Sequence, residues 1–334
     1  MKILMASGGS GGHIYPALAL AEELVKDNEV SFIGYKNHME DKVINVNGYK
    51  FIDIPKRTGK YISMIKEYKD IKKSIKEYKP DIVIGWGNSL SFLSVLAAKR
   101  LGIKTIIHEQ NIIPGKANML SSKFVDDIVT SFDNTSYFKN QLALGNPRGE
   151  YATLYSKVKY DIPHDKKNIL IVMGSLGSST VSTFMMNFIN NIKVNARFVI
   201  SLGKNVKGNY RFNNLNEVIV YDYIESMPDM LRNVDLVISR AGATTISELL
   251  SLNKVSILIP SPYVANNHQY KNAKALLDKD LVFMVEEDKL DNDKLKMMIE
   301  DDSSILRVRM NLMKEKKKKG ITDFVRLIND KYKK

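Results

Sequence analysis

Short apolar runs recur along the chain, separated by longer stretches in which apolar positions fall three or four apart. That alternation predicts strands and helices taken in turn. Lys2–Ala6 reads as a first strand. A glycine-rich turn follows, then a helix over Pro16–Lys26 with Leu18, Leu20, Ala21 and Leu24 on its apolar face. Val30–Gly34 and Lys50–Ile54 are further strands. Tyr61–Tyr78 reads as an amphipathic helix, with Ile62, Ile65, Tyr68, Ile71 (or Lys72) and Ile75 at three-four spacing. Lys66, Lys69, Lys72, Lys73 and Lys76 crowd its remaining surface. Strands over Asp81–Trp86, Lys104–Ile107 and Asp127–Ser131 complete this half, with a helix over Leu90–Lys99.

Gly145-Asn146-Pro147-Arg148 breaks the pattern, which restarts at Asn168. Strands are expected over Ile169–Met173, Phe198–Leu202, Val218–Tyr221, Val234–Ile238, Val255–Ile259 and Leu281–Val285. Helices are expected over Val181–Asn190, Met227–Leu231 and Ala243–Ser251, from Asn266 to Leu277, near Asp291–Ile299 and Ser304–Lys316, and over Thr322–Tyr332. Two successive βα repeats predict an α/β protein of two Rossmann-like domains with a cleft between them. The expected limits are 1–155 and 165–318, with a terminal helix over 320–334 packing back on the first domain.

Composition narrows the chemistry. The chain has 334 residues and no cysteine, which excludes a disulfide framework, a thiolate nucleophile and a Cys-ligated metal. No apolar run approaches the roughly 20 residues of a membrane span, and the N-terminus reads as a strand rather than a signal peptide. The net charge of +13 suits nucleic acid, an anionic membrane surface or a diphosphate ligand, or a plain lysine bias. No nucleic-acid motif accompanies it, so no specific nucleic-acid partner is expected.

Three turns carry the candidate chemistry. In Val234–Glu248 a buried strand runs through Ser239-Arg240-Ala241-Gly242 into a helix. Unpaired N–H groups and the positive end of the helix dipole attract phosphate there. Thr244 and Thr245 add hydroxyls, and Glu248, one turn further in, suits ribose hydroxyls. The second is Ser7-Gly8-Gly9-Ser10-Gly11-Gly12-His13. It resembles a dinucleotide fingerprint, but the next strand ends in Gly34-Tyr35 rather than the acidic residue that NAD requires. His13, at a helix start, is disfavoured as an imidazolium, and a neutral imidazole suits a general base. The third, Gly174-Ser175-Leu176-Gly177-Ser178-Ser179, opens the second repeat. His108-Glu109-Gln110-Asn111 closes a strand where α/β sheets bind ligands.

GGSGGHIYPALALAEEL, HEQNIIPGKAN, GNPR, MGSLGS, SRAGATTISELL and HQYKNA occur in that order. The set resembles the MurG family of N-acetylglucosaminyltransferases, which make lipid II for peptidoglycan, and the likeness covers essentially the whole chain. It implies a GT-B fold and transfer of GlcNAc from UDP-GlcNAc to the muramyl 4-hydroxyl of lipid I, with inversion. It implies roles in cell-wall synthesis, cell shape and division, at the cytoplasmic face of the bacterial membrane. By that resemblance the first domain receives acceptor and membrane, and the second binds UDP-GlcNAc. Ser175, Ile224 (through its backbone), Arg240, Ala243, Thr244, Thr245, Ile246, Ser247 and Glu248 hold the nucleotide. Gln269 and His268 read the sugar. Ser10, Gly11 and Gly12 line the cleft, Asn111 reaches the sugar, and Arg148 comes from the hinge. His13 is the candidate base and Glu109 its rival.

The implied partners are UDP-GlcNAc, lipid I, an anionic membrane surface met by helix 61–78, and other cell-wall synthesis proteins. No cofactor or metal is implied, since helix N–H groups and hydroxyls can stabilise the departing diphosphate. Asp126-Asp127 and Asp301-Asp302 read as strand-edge and loop charges. The chain departs from the family pattern in three places. Ser10 stands where Thr is commoner, and Gly87-Asn88-Ser89 replaces a turn usually reading Gly-Gly-Tyr. Arg148 directly follows Asn146-Pro147. Two other readings use the same nucleotide sugars: a UDP-GlcNAc epimerase, and a transferase to another lipid acceptor.

Overall fold

The computed structural model describes residues 1–57, 61–133, 136–174, 178–201, 212–213 and 217–333, without the side chains of Tyr61 and Ile62. The chain forms two compact units, Met1–Tyr151 with Lys318–Lys334, and Ala152–Lys317.

Among the described residues the first unit holds strands β1 (Lys2–Ala6), β2 (Glu29–Tyr35), β3 (Lys50–Ile54), β4 (Ile82–Gly85), β5 (Lys104–Glu109), β6 (Asp127–Thr130) and β7 (Gln141–Leu142). They form one sheet in the order β3-β2-β1-β4-β5-β6-β7, and every pairing is parallel. Its helices are α1 (Gly11–Leu24), α2 (Met39–Val46), α3 (Tyr61–Tyr78), α4 (Asn88–Arg100) and α5 (Lys116–Ser121). The helix α6 (Pro147–Leu154) contains the point where the chain leaves this unit.

The second unit carries β8 (Lys167–Val172), β9 (Ala196–Ser201), β10 (Val218–Val220), β11 (Leu236–Ser239), β12 (Val255–Leu258) and β13 (Phe283–Met284). Its order is β10-β9-β8-β11-β12-β13, again parallel throughout. Helices α7 (Ser179–Asn191), α8 (Met227–Arg232), α9 (Ala243–Ser251), α10 (His268–Leu277), α11 (Asn292–Glu300) and α12 (Asp302–Lys314) belong to it. The terminal helix α13 (Thr322–Tyr332) lies in the first unit.

Ile3, Leu4, Met5 and Ala6 of β1 are wholly buried, because helices cover both faces of a parallel sheet. Register then sets the binding edge. Ala6 lies opposite Ile33 on one side and Gly85 on the other. The loops that follow therefore leave the sheet at one level. In the second unit Ser239 lies opposite Val172 and Leu258, with the same result.

Several expectations need correction. The first helix starts at Gly11, not Pro16, so Pro16 sits in its second turn and gives no i→i−4 bond. The apolar spacing after Pro16 concealed this, because the preceding glycines offer no pattern. Helix α2 and strand β7 carry too little apolar periodicity to be foreseen. The break at Gly145–Arg148 is a helix start, with Pro147 at its first position. In α3, Ile71 and Ile75 are buried but Ile65 is 54% exposed. Glu67 takes the inward place, where it accepts a hydrogen bond from the Tyr35 hydroxyl. The expected placement of Ile62 lies outside the described side chains.

The tail is fixed by close contact. A Cβ on Gly320 would come within 2.7 Å of the Asn146 carbonyl group, so only glycine fits. Glu150 of α6 accepts hydrogen bonds from the Ile321 and Thr322 N–H groups and from the Thr322 hydroxyl. Phe324 of α13 stacks on His108, whose ring also meets Trp86 at 4.8 Å. His108 Nε2 donates to the Gly145 carbonyl.

Burial drives the His108 pKa down to about 4 from 6.5. The unfolded chain therefore binds more protons between those values, and stability falls as pH drops from about 6.5 to about 4. Urea unfolding across that range is expected to show the slope in the native chain, and His108→Phe is expected to flatten it.

Candidate active site

On the first unit the site begins where β1 gives way to α1. Gly9 has a φ of +81°, and Ser10 is the extended residue at the start of α1. Gly11, Gly12 and His13 form the first turn of the helix, and the His13 N–H donates to the Ser10 carbonyl at 3.1 Å. Ser10 and Gly12 are exposed, and Gly11 and His13 are half-buried.

His13 Nδ1 lies 3.2 Å from the Gly8 carbonyl oxygen and 3.2 Å from Ser10 Oγ. The carbonyl can only accept, so this contact favours the tautomer with the hydrogen on Nδ1 and the lone pair on Nε2. Nε2 faces Gly87, where an added Cβ would sit 3.0 Å away. The φ of Gly87 is +99°, so this position needs glycine on both counts.

Two residues that sequence reasoning left aside hold the glycine loop. Glu40 is 1% exposed and accepts from Gly9 N at 3.2 Å and Tyr35 N at 3.3 Å. Asn88 Nδ2 donates to the Gly8 carbonyl at 2.6 Å, and its Oδ1 accepts from Ser91 N. No motif flagged Glu40, because α2 itself was not foreseen. Asn88 was visible only as a departure from the family's glycine.

Glu109 lies 1% exposed at the end of β5. It accepts from Asn111 N (2.9 Å), Asn111 Nδ2 (3.3 Å), Gly115 N (3.0 Å) and Asn118 Nδ2 (2.8 Å). Burial raises its pKa despite these donors. Both oxygens are thus engaged in shaping the loop that carries Asn111. The Arg148 guanidinium lies over the rings of Tyr151 (4.6 Å) and Tyr15 (5.9 Å).

On the second unit Gly242 is the extended residue before α9, and Ala243 opens the helix. Thr244 and Thr245 are half-buried in its first turn. Ile246 is 1% exposed, and its N–H donates to the Gly242 carbonyl at 2.9 Å. The Ser247 hydroxyl donates back to the Ala243 carbonyl. Glu248, one turn further in, is 4% exposed. Ile224, between β10 and α8, buries its side chain and leaves its backbone for contact. Ser175 lies outside the described residues.

Arg240 is turned into protein rather than toward solvent. Its guanidinium donates to Ser178 Oγ at 2.7 Å and to the Ile259 carbonyl at 3.1 Å. It also pairs with Glu287 at 2.7 Å, with both side chains at most 10% exposed. The turns after β8, β11 and β12 are thereby tied together. Beyond β12, Asn266 and Asn267 adopt left-handed conformations before α10 begins at His268. The Gln269 amide oxygen accepts from Ser261 N, which leaves its NH₂ group as the outward donor. His268 Nδ1 donates to the Ala265 carbonyl, so its Nε2 is an acceptor. Among the described residues no three His, Asp or Glu side chains gather as a metal-binding group.

The models of the glycosyltransferase family 28 N-terminal and C-terminal domains match residues 3–130 and 168–328 respectively. The chain belongs to glycosyltransferase family 28. A relative from Halalkalibacterium halodurans is 36% identical over 346 residues, covering 94% of each chain. It is named UDP-N-acetylglucosamine–N-acetylmuramyl-(pentapeptide) pyrophosphoryl-undecaprenol N-acetylglucosamine transferase. A protein of the same name, numbered 1, from Bacillus cereus is 35% identical over 349 residues, covering 97% of this chain and 96% of its own. The crystal structure of Acinetobacter baumannii MurG superposes with a TM-score of 0.80 at 22% identity, covering 98% of this chain and 99% of that one. A putative UDP-N-acetylglucosamine 2-epimerase from Listeria monocytogenes gives 0.71 at 13% identity, covering 98% of this chain and 96% of that one. The shared architecture is that of GT-B glycosyltransferases, and at these identities the two structures speak for fold alone.

In this family 28 chain, Arg240→Ala is expected to leave Glu287 buried without its partner, at a cost of roughly 3–5 kcal/mol. Arg240→Met with Glu287→Leu is expected to recover most of that loss. Chemical denaturation of the single and double variants checks both.

Proposed function

We propose that this chain transfers GlcNAc from UDP-GlcNAc to the muramyl 4-hydroxyl of lipid I, giving lipid II with inversion at the anomeric carbon. The observation that carries the reading is the 36% identity, along nearly the full length of both chains, to a transferase named for that reaction. Likeness to an epimerase rests on fold at 13% identity and supports no rival activity.

Inversion is one displacement. The acceptor oxygen attacks the anomeric carbon as the bond to the UDP oxygen breaks, and the acceptor hydroxyl gives up its proton. In this proposal His13 Nε2 takes that proton. Support comes from Nδ1, which the Gly8 carbonyl engages as a donor, so that the lone pair belongs to Nε2. Ser10, Gly11 and Gly12 face the reacting groups from the same turn, and Asn111 and Arg148 contact the sugar-bearing end. Glu109 acts by shaping the loop of Asn111.

The donor belongs to the second unit. N–H groups at the start of α9, with Ala243, Thr244, Thr245, Ile246 and Ser247, and Ser175 of the preceding glycine-serine turn, stabilise the diphosphate as its charge grows. Ile224 meets uracil through its backbone. Glu248 meets ribose, and its burial demands that the ribose pack directly on the turn. Gln269 supplies donors and His268 an acceptor to the sugar hydroxyls. Arg240 keeps the three surrounding turns in place. No metal is invoked.

Among the described residues no helix is long and apolar enough to cross a membrane. Our reading is that the protein meets the cytoplasmic membrane face through α3. Met64 and Ile65 are exposed there beside Lys66, Lys69 and Lys73, a combination suited to anionic lipid. Other cell-wall synthesis proteins are its proposed neighbours.

His13→Ala is expected to lower kcat by about 10²- to 10⁴-fold. UDP-GlcNAc affinity, measured by calorimetry, stays near the native value. Near-native turnover with UDP-GlcNAc and lipid I would remove His13 from the mechanism. Product formed from UDP-GlcNAc without acceptor would favour the epimerase.

A further inference from the structure

The peptide unit joining Gly8 to Gly9 is gripped from both ends. Its carbonyl accepts from Asn88 Nδ2 at 2.6 Å, and its N–H donates to Glu40 Oε2 at 3.2 Å. The same carbonyl accepts the Nδ1 hydrogen of His13. Glycines on both sides of a peptide offer little resistance to its rotation, and Gly9 already sits at a φ of +81°. If this peptide turned over, the Gly9 N–H rather than the Gly8 carbonyl would face the imidazole. The Nδ1–H form would then keep only the Ser10 hydroxyl as an acceptor, and the balance would shift toward the ring hydrogen on Nε2, taking the lone pair from the face next to Gly87.

The two side chains are placed for this duty by the first turn of α2 and the start of α4. Ala6 pairs with Gly85, so Gly8 and Gly87 leave the sheet side by side and Asn88 stands next to the loop. Asn88 has a φ of +70°, a conformation that asparagine tolerates better than most residues. Its Oδ1 accepts from Ser91 N, which aims Nδ2 at Gly8. Glu40 comes from the first turn of α2, and its other oxygen accepts from Tyr35 N at the end of β2. At 1% exposure the carboxylate has little water to turn to if Gly9 N–H were withdrawn.

We propose that Asn88 and Glu40 are positioning residues that clamp the Gly8–Gly9 peptide in the orientation that keeps the His13 hydrogen on Nδ1 and the lone pair on Nε2. The proposal rests on the reading of His13 as the general base for its consequence in turnover, but not for its consequence in the ring. The effect of Asn88 and Glu40 passes through the backbone and the tautomer.

The test uses the full chain labelled with ¹⁵N-histidine, with the His13 signals assigned by their loss in His13→Gln. The variants are Asn88→Gly, which accepts the left-handed backbone without strain, and Asn88→Asp, which keeps size and the Ser91 bond but has no donor for Gly8. Glu40→Gln keeps one acceptor oxygen but turns its NH₂ toward the second N–H group, so it loosens the other end of the peptide. In the native chain the ring nitrogen shifts are expected to show the Nδ1–H form. In Asn88→Gly and Asn88→Asp the Nε2–H form is expected to gain population. Their kcat is expected to fall about tenfold to a hundredfold, the range typical of residues that orient a reacting imidazole. The KM for UDP-GlcNAc is expected to stay unchanged, and Glu40→Gln is expected to move both readouts in the same direction as the Asn88 variants. A ring that stays in the Nδ1–H form in both Asn88 variants overturns the clamp, whatever the turnover. A tautomer shift with full turnover upholds the clamp and overturns the reading of His13 as base.

Discussion

A buried carboxylate that accepts two backbone N–H groups of a loop recurs through this chain. Glu40 holds Gly9 and Tyr35, and Glu109 holds Asn111 and Gly115. Glu150 holds Ile321 and Thr322, and Asp229 holds Lys157 and Val158. All four side chains belong to residues less than 9% exposed. Parallel sheets with helices on both faces put strain on their loops, because each loop must reverse direction while its N–H groups face away from water. A carboxylate satisfies two of these groups at once, and charge-assisted bonds are the stronger kind. For Asp229, burial alone would push the pKa up. The donors on it, led by the Ser226 hydroxyl, instead hold it down to about 2. For Glu109 burial prevails and the pKa rises. The same device thus sits on either side of the balance between desolvation and hydrogen bonding.

The strands were legible from sequence because parallel strands buried on both faces are written as plain apolar runs. Ile169–Val172 and Val255–Leu258 needed no further signal. The turns were legible as well, since glycine and serine between a strand and a helix mark where the chain leaves the sheet. Helix starts inside glycine runs were not, and α1 begins five residues before the first residue with helical spacing. Helix α2 has only Glu40 and Ile44 buried, too short a stripe to read. Its loss mattered, because the carboxylate that steadies the glycine loop went with it.

The same limit applies to the candidate site. Sequence reasoning can name residues near a turn, but it cannot say where their donors and acceptors are used. Arg240 was expected to line the nucleotide pocket, and its guanidinium is bonded to Ser178, Ile259 and Glu287. Ile224 was expected to act through its backbone, and the side chains of Ile224 and Ile246 are both buried. Asn88 looked like a loss, a bulkier residue where the family has glycine. Its left-handed backbone explains why glycine suits that position, and its amide explains what asparagine adds.

These observations separate holding from proton transfer. A general base must take a proton without breaking the bonds that hold it in place. Glu109 meets four donors from one loop, so a proton taken there would weaken bonds that shape the loop of Asn111. His13 can change charge at Nε2 without surrendering its bond to Gly8, because Nδ1 donates in both the neutral and the charged ring. The imidazole can therefore cycle through protonation while the backbone around it stays still. That stillness depends on a peptide with no side chain of its own, which is why its orientation has to come from Glu40 and Asn88.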